Sequence, residues 1–583
     1  MNSSTAHVRQ DVRYEPDDRP PHLLSIGLGL QYALLNVTGI VLTPVIMIGS
    51  AGGSDAYLSW AVCAALVISG ITTVIQSVRI GRIGAGYVLL MGSTAAFLAV
   101  CVTALERGGQ GLLSTLILVS CLFQFALAAK LSLLRKVFTP AVAGTVLMLI
   151  PVSVATTFLG KLTDVPEGAS PAAAPVTAGV TLAIMIAAGL RFRGAWRLWA
   201  PVIGLVVGSA IGGFGFGIYD TAGVVDAAWV GLPPVAHVGF DLGFGPAFWA
   251  LLPAFVFVTL VGAMDTLGDT IAVQRVSWRR PRAIDFRSVQ GALFADGLGN
   301  LLSGVAGTVP NSTYAMSISI AELTGVAARV VGVCVGCIFV VLAFLPKFTA
   351  AIVAIPGPVV AAFYIVLVAL LFVFGMKIVL QDGLDQRKSL IVGMGFLLGV
   401  AFQLDWVFPE YLQGAWGELL GNGMTVGGFT VIVLTLFDDL TASRRVRLRV
   451  ALNADAYPKV DEMLSRFAVG NKWNEEMTAR VRAVGEETLL LLRDGEQAQP
   501  RDDRHMLLLA RADGDAAVLE FIAATDETNI EDQMAVLQDR PGAMQVEEEV
   551  SLRLLRHYAS SVRHHQYHDT DVVTVRVEPV ASR

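Results

Sequence analysis

The chain has 583 residues, of which 54% are hydrophobic and only 15% charged, and its mean hydropathy is +0.63. That balance excludes an ordinary soluble domain; the formal net charge of -6 averages a lipid-facing body and an acidic tail and says little about partners, and the sequence carries no nucleic-acid-binding signature. Charges sit in short clusters between long apolar runs from about Leu23 to Leu436 and become dense beyond Arg444, so the chain is read as a 1–22 cytosolic segment, a 23–440 membrane region and a 441–583 cytosolic α/β domain.

Residues 1 to 21 are polar, and the run that starts at Leu23 is too long for a signal-peptide core, so it is expected to span the membrane. A spanning helix needs roughly 20 mostly apolar residues. By that measure about fourteen spans are predicted. The first seven centre near Leu35, Val67, Ala95, Leu118, Leu147, Ile184 and Val206; the second seven near Val258, Leu298, Ile320, Val335, Ile365, Gly395 and Val431. Alternate loops collect Lys and Arg, among them Arg79 with Arg82, Arg191 with Arg193, Arg279 with Arg280, and Arg444 with Arg445. The opposite loops carry only Arg107, Lys161 and Lys347. This asymmetry places both termini on the cytoplasmic side. The five cysteines all lie in apolar segments, and the Cys334–Cys337 spacing lacks the second pair or the histidine of a metal site, so neither a disulfide nor a metal is expected.

Polar residues interrupt the third and tenth spans: Gly92, Ser93 and Thr94 in one, Pro310, Asn311, Ser312 and Thr313 in the other. Breaks at matched places in two sets of seven point to inverted repeats, whose half-helices free backbone groups to bind a substrate near the midplane. Ionisable residues at membrane depth are functional candidates. Asp265 and Asp269, in Val261-Gly-Ala-Met-Asp-Thr-Leu-Gly-Asp269, are four apart and share a helix face, with Gly268 expected to admit a close neighbour. Asp296 follows near the start of the ninth span. No histidine lies in any predicted span, so a proton relay has only these carboxylates to use. The alternative for each is a structural carboxylate hydrogen-bonded to nearby backbone.

The membrane region resembles the nucleobase/ascorbate transporters, also called the uracil/xanthine permeases. The residues that carry the resemblance are Gly27-Leu-Gly-Leu-Gln31 with Val41-Leu-Thr-Pro44, Thr139-Pro-Ala-Val-Ala-Gly-Thr145, the run from Asp296 to Asn311, Phe344-Leu-Pro-Lys-Phe348 and Ile355-Pro-Gly-Pro-Val359. The resemblance implies an all-α polytopic protein with fourteen helices in a seven-plus-seven inverted repeat, divided into core and gate domains and usually dimeric. It implies symport of a base with protons, or with sodium, and no cofactor or enzymatic activity. Asp265 matches the carboxylate that contacts the base, and Asp269 the acid one turn later. Ser93, Thr94 and Ala95 match the third-span turn beside the substrate. Departures concern specificity. Met316 and Ser317 stand where the tenth-span signature has Glu or Gln followed by Asn, and Gln31-Tyr32 replaces a Gln-His pair, with Asn36 one turn later. A thioether cannot make the paired hydrogen bonds of a carboxylate or amide. An anion carrier of the same fold and a transporter-like membrane sensor signalling through the tail remain the alternatives.

In the tail, helices are predicted over Asn474–Leu492 and Glu548–Arg563, strands over His505–Ala510, Ala517–Ile522 and Asp571–Glu578, and a polar loop over Gln497–Asp503. The order resembles the anti-sigma-factor kinase group of the histidine-kinase ATPase fold, but Leu490 or Leu491 stands where that group has a magnesium-binding Asn, and no glycine-rich lid is visible. A degenerate regulatory or dimerising module is expected, a candidate docking domain for a cytosolic partner. The His564-His565-Gln-Tyr-His568 run is expected to be a solvated helix end.

Overall fold

The computed structural model describes residues 12–131, 139–219, 221–233, 239–280, 282–380, 386–408, 410, 423–441, 446–452, 455–494, 505–523, 530, 546–567 and 570–579. They fall into two compact units. One comprises Gln10–Trp278 with Ser288–Phe437; the other takes in the tail from Asp438 onward together with Arg279–Arg287.

The first unit is a helical bundle of multi-pass membrane type. It begins with α1 (His22–Ser50), α2 (Asp55–Val78), the short strand β1 (Leu90–Ser93), a 3-10 turn (Ala95–Phe97) and α3 (Leu98–Ala129). Then come α4 (Pro140–Gly160), α5 (Ala173–Arg191), α6 (Ala200–Ala210), α7 (Pro246–Ser277) and α8 (Phe286–Ala306). A second short strand β2 (Asn311–Tyr314) leads to α9 (Met316–Thr324), α10 (Arg329–Ala343), α11 (Pro346–Val353), α12 (Gly357–Leu380), α13 (Gln386–Gln403) and α14 (Gly423–Thr441). All fourteen predicted span centres lie in helical residues. Among the described residues seven helices are long and apolar enough to cross a membrane alone, and the pair α10–α11, bent by 84°, makes up to eight. Two departures from fourteen separate helices have physical causes. The spans centred on Ala95 and Leu118 run together through Ala95–Ala129, with a break at Gly109, whose φ of +65° suits glycine; α9 is a half-helix of 9 residues.

Small residues set the helix packing. Gly70 of α2 and Gly336 of α10 face each other so closely that a Cβ on either would lie 2.6 Å or less from the opposite carbonyl oxygen. Gly144 of α4 and Gly375 of α12 repeat the arrangement. Two helix groups result. α1, α2 and α10 pack together with β1, α3 packs on α7, and α7 packs on β2. In the other group α4 packs on α12 and α13, and α14 lies against both α13 and α4 through Gly395, Gly399 and Gly427.

The two polar interruptions are extended, not helical. β1 and β2 pair antiparallel, Gly92 opposite Ser312 and Ser93 opposite Asn311, so backbone groups released where the helices stop satisfy one another. A Cβ at position 92 would come within 2.5 Å of the Tyr314 ring, and only glycine lets that ring lie across β1.

In the second unit an antiparallel sheet of order β3-β4-β5-β7-β6 is formed by β3 (Val446–Ala451), β4 (His505–Asp513), β5 (Ala516–Ala523), β6 (Ser561–Gln566) and β7 (Asp571–Val577), accompanied by α15 (Ala456–Gly470), α16 (Glu475–Asp494) and α17 (Val546–Tyr558). Its core brings Leu508, Leu519, Phe521, Val573 and Val575 of the sheet against Leu464, Val481 and Leu552 of the helices. The predicted helix over Glu548–Arg563 ends at Tyr558, and the chain re-enters the sheet as β6. The histidine run is therefore no solvated helix end. His564 is fully buried, its Nδ1 accepts from the Ile530 amide at 3.0 Å, and its Nε2 lies 3.6 Å from Asp571. His568 and the predicted loop Gln497–Asp503 lie outside the described residues. No cluster able to hold a metal ion occurs among the described residues.

Candidate functional site

The chemistry gathers where α7, α8, β1 and β2 meet. Asp265 and Asp269 stand one turn apart on α7, but Gly268 has open space beside it and receives no close neighbour, contrary to the expectation. Asp269 is 5% exposed and accepts the Thr313 hydroxyl of β2 at 2.7 Å. Asp296 lies in the middle of α8 and not near its start. One of its oxygens accepts both the Thr266 hydroxyl of α7 and the Gln124 amide of α3, each at 2.7 Å. The Thr313 and Thr266 oxygens are 3.3 Å apart. Asp269, Thr313, Thr266 and Asp296 thus form one continuous row.

The row continues into a buried polar web. Asn300 Nδ2 donates to Gln124 Oε1 at 2.8 Å, the Asn311 amide N–H donates to Asn300 Oδ1 at 2.8 Å, and Asn311 Nδ2 donates to Thr72 of α2 at 3.2 Å. Asp265 stands apart from it. It is half-buried, and its Oδ1 is shielded from solvent and takes no hydrogen bond among the described residues. A buried carboxylate oxygen without a donor is costly, so this position favours a ligand that brings one.

The paired strands aim two helix starts into this region. Thr94 Oγ1 accepts from the Ala96 amide at 3.3 Å and caps the 3-10 turn that opens α3; the Thr94 amide donates to Pro310 at 3.1 Å. Ser93 is buried with its hydroxyl on the Ile40 carbonyl at 3.2 Å, and its own carbonyl accepts the Tyr314 hydroxyl at 2.7 Å. Thr94, Ala95 and Met316 are partly exposed, whereas Ser317 is fully buried and donates back to the Tyr314 carbonyl at 2.6 Å. Tyr32 is also fully buried, with its hydroxyl 3.5 Å from the Ser317 carbonyl. The first amides of α9 and of the turn at Ala95 have no intrahelical acceptors and offer positive dipole ends. Asn36 is not a free polar group, because its amide donates to the Tyr32 carbonyl within α1 at 2.8 Å.

The structure therefore brings Asp265, Asp269, Asp296, Ser93, Thr94, Ala95 and Met316 onto adjoining elements, and turns Ser317 and Tyr32 inward as props. Sequence reasoning placed Thr313 in the polar break without giving it a partner, and passed over Thr72, Gln124, Thr266 and Asn300. Gln124 had a signal, an amide in the middle of an apolar span; the threonines had none, since Thr is common in packed membrane helices.

Comparison with known proteins follows the same region. The chain is 28% identical over 445 residues to the xanthine permease XanP of Escherichia coli, covering 73% of this chain and 94% of that one. It is 27% identical over 418 residues to the uric acid permease PucK of Bacillus subtilis, covering 70% and 94%. The transmembrane domain of the cyanobacterial bicarbonate transporter BicA superposes with a TM-score of 0.44 at 17% identity, covering 68% of this chain and all of that one, a likeness too slight to argue from. The model of the xanthine/uracil permeases, described as a permease family, matches residues 24–405, more than half of the chain, and the protein belongs to that family of membrane transporters.

Proposed function

We propose that this protein carries a purine-type base across the membrane in symport with protons. The observation that carries the proton half is the row from Asp269 to Asp296. It has three gaps and only two hydroxyl hydrogens. With both acids ionised, Thr313 donates to Asp269 and Thr266 to Asp296, each at 2.7 Å, and no hydrogen is left for the 3.3 Å gap between the two hydroxyls. One added proton completes the row. Placed on Asp269, it turns the Thr313 hydroxyl toward Thr266; placed on Asp296, it turns Thr266 toward Thr313. The row is suited to hold one exchangeable proton, because the acid oxygens that face it already accept the Thr313 and Thr266 hydroxyls.

The substrate half rests on Asp265 and the two helix starts. A xanthine- or urate-like base presents ring N–H donors to the unpartnered Asp265 oxygen and carbonyl acceptors to the amides at Ala95 and Met316. The curated relatives named for xanthine and uric acid support this class. The two positive helix ends alone favour an anion, the second reading, but Asp265 beside them repels one unless it is neutralised. We further read the helices as a seven-plus-seven inverted repeat, dimeric, with both termini cytoplasmic; the paired strands at matched breaks and the Lys/Arg asymmetry support that arrangement.

A thermal-shift series on the purified protein tests the substrate class, because a ligand that binds only the folded state raises its stability by about 2.7 kcal/mol at a hundredfold excess over Kd. Xanthine or uric acid is expected to raise the midpoint, while bicarbonate and sulfate leave it unchanged. Anion hits without base hits would reverse the assignment.

A further inference from the structure

The cytosolic sheet belongs to one compact unit with the loop Arg279–Arg287 that joins α7 to α8, the two helices bearing Asp265, Asp269 and Asp296. Edge strand β6 is where they meet. Asp285 forms a parallel bridge with Gln566, and the ring of Phe286, the first residue of α8, lies 4.5 Å from that of His565 and 5.1 Å from that of Tyr567, centroid to centroid. Phe286 and Tyr567 are 9% and 5% exposed, so this is a buried apolar contact and not a passing touch. Asp285 also accepts the Arg287 amide at 2.9 Å, which fixes the entry into α8.

The same sheet is tied elsewhere by covalent connection. β3 starts at Val446, and α14 ends at Thr441. α14 packs chiefly with α4 and α13, and Gly428 of α14 also meets Phe257 of α7. The same sheet is thus joined in sequence to α14, with four residues between α14 and β3, and packed against Phe286, which opens α8.

We infer that the cytosolic domain is a strap on the transporter: its β6 edge grips the α7–α8 loop and restrains displacement of the carboxylate-bearing helices relative to the group containing α14. The inference rests on the transport reading. Whatever loosens the β6 edge then speeds the cycle, and whatever fastens it slows the cycle.

The test is a reversible cross-link. Strands in a ladder run about 4.8 Å apart, inside the roughly 4.4–6.8 Å that a disulfide spans, so Asp285→Cys with Gln566→Cys is expected to oxidise efficiently. Uptake of labelled xanthine by the bridged protein should fall at least tenfold and recover on reduction, with oxidised wild type and each single variant as controls. Tyr567→Ala, which removes one ring from the contact, should raise initial uptake at least twofold at equal membrane level. Absence of the cross-link would overturn the grip, and complete cross-linking with unchanged uptake would overturn the strap. If the wild type carries no base at all, the transport reading has failed by itself. The strap is then judged from alkylation of Gly268→Cys, an open position on α7, whose rate should differ between bridged and reduced protein; an equal rate overturns it.

Discussion

Replacing Thr313 by Val isolates the proton row from everything else at the site. Valine keeps the shape of the side chain and its fit in β2 but removes the hydroxyl that donates to Asp269 at 2.7 Å and faces Thr266 at 3.3 Å. A hydrogen bond to a charged group contributes about 1.5–3 kcal/mol, and at about 1.36 kcal/mol per decade this becomes roughly ten- to a hundredfold in rate. The loss falls only on steps in which the proton passes between Asp269 and Asp296. In proteoliposomes with an imposed inward proton gradient, the Val variant should accumulate base about ten- to a hundredfold more slowly, while its thermal shift with the same base stays that of the wild type. Thr313→Ser restores the hydroxyl and should restore accumulation. Wild-type accumulation by the Val variant would refute the row as a proton path, and so would a Ser variant as impaired as Val.

Asp265→Asn keeps the size of the side chain but replaces the charged acceptor that meets the base's N–H donors, and should lower concentrative uptake at least tenfold with membrane level unchanged; uptake at the wild-type rate would remove this residue from the substrate contact. Met316→Gln returns a paired donor and acceptor to the start of α9 and should strengthen binding of keto bases in the thermal-shift assay, whereas indifference to every base would mean that Met316 does not face the ligand. A cysteine at Val225, which is 68% exposed, should react with an impermeant thiol reagent in intact cells, and one at Arg280 should not; labelling at Arg280 would invert the orientation. Gly92→Ala sets a Cβ 2.5 Å from the Tyr314 ring, a clash costing about 1–3 kcal/mol, and should lower the thermal midpoint; an unchanged midpoint would show that the ring moves aside freely.

Much of this was legible in the sequence because membranes enforce simple rules. Twenty-residue apolar runs, the Lys/Arg alternation, and the rarity of carboxylates at depth located the helices, the polar breaks and Asp265, Asp269 and Asp296. What escaped depends on contacts between residues far apart in sequence. The pairing of Gly92 with Ser312 joins positions that local pattern treats separately, and the row needs Thr313 to meet Asp269 and Thr266 to meet Asp296, neither of which has a spacing signature. Gly268 illustrates the opposite error, since a glycine between two functional residues suggested close approach where there is open space. In the tail, the charged run after Tyr558 kept helical composition, and only the ladder with β7 shows that Ser561–Gln566 is a strand with His564 in the interior.

The most direct test of proton-coupled base transport is uptake of labelled xanthine into proteoliposomes under an inward proton gradient, with no sodium present. Accumulation above the external concentration, abolished by a protonophore and slowed about ten- to a hundredfold in Thr313→Val, is the predicted result. Uptake that only equilibrates, or that requires a sodium gradient, would contradict the account.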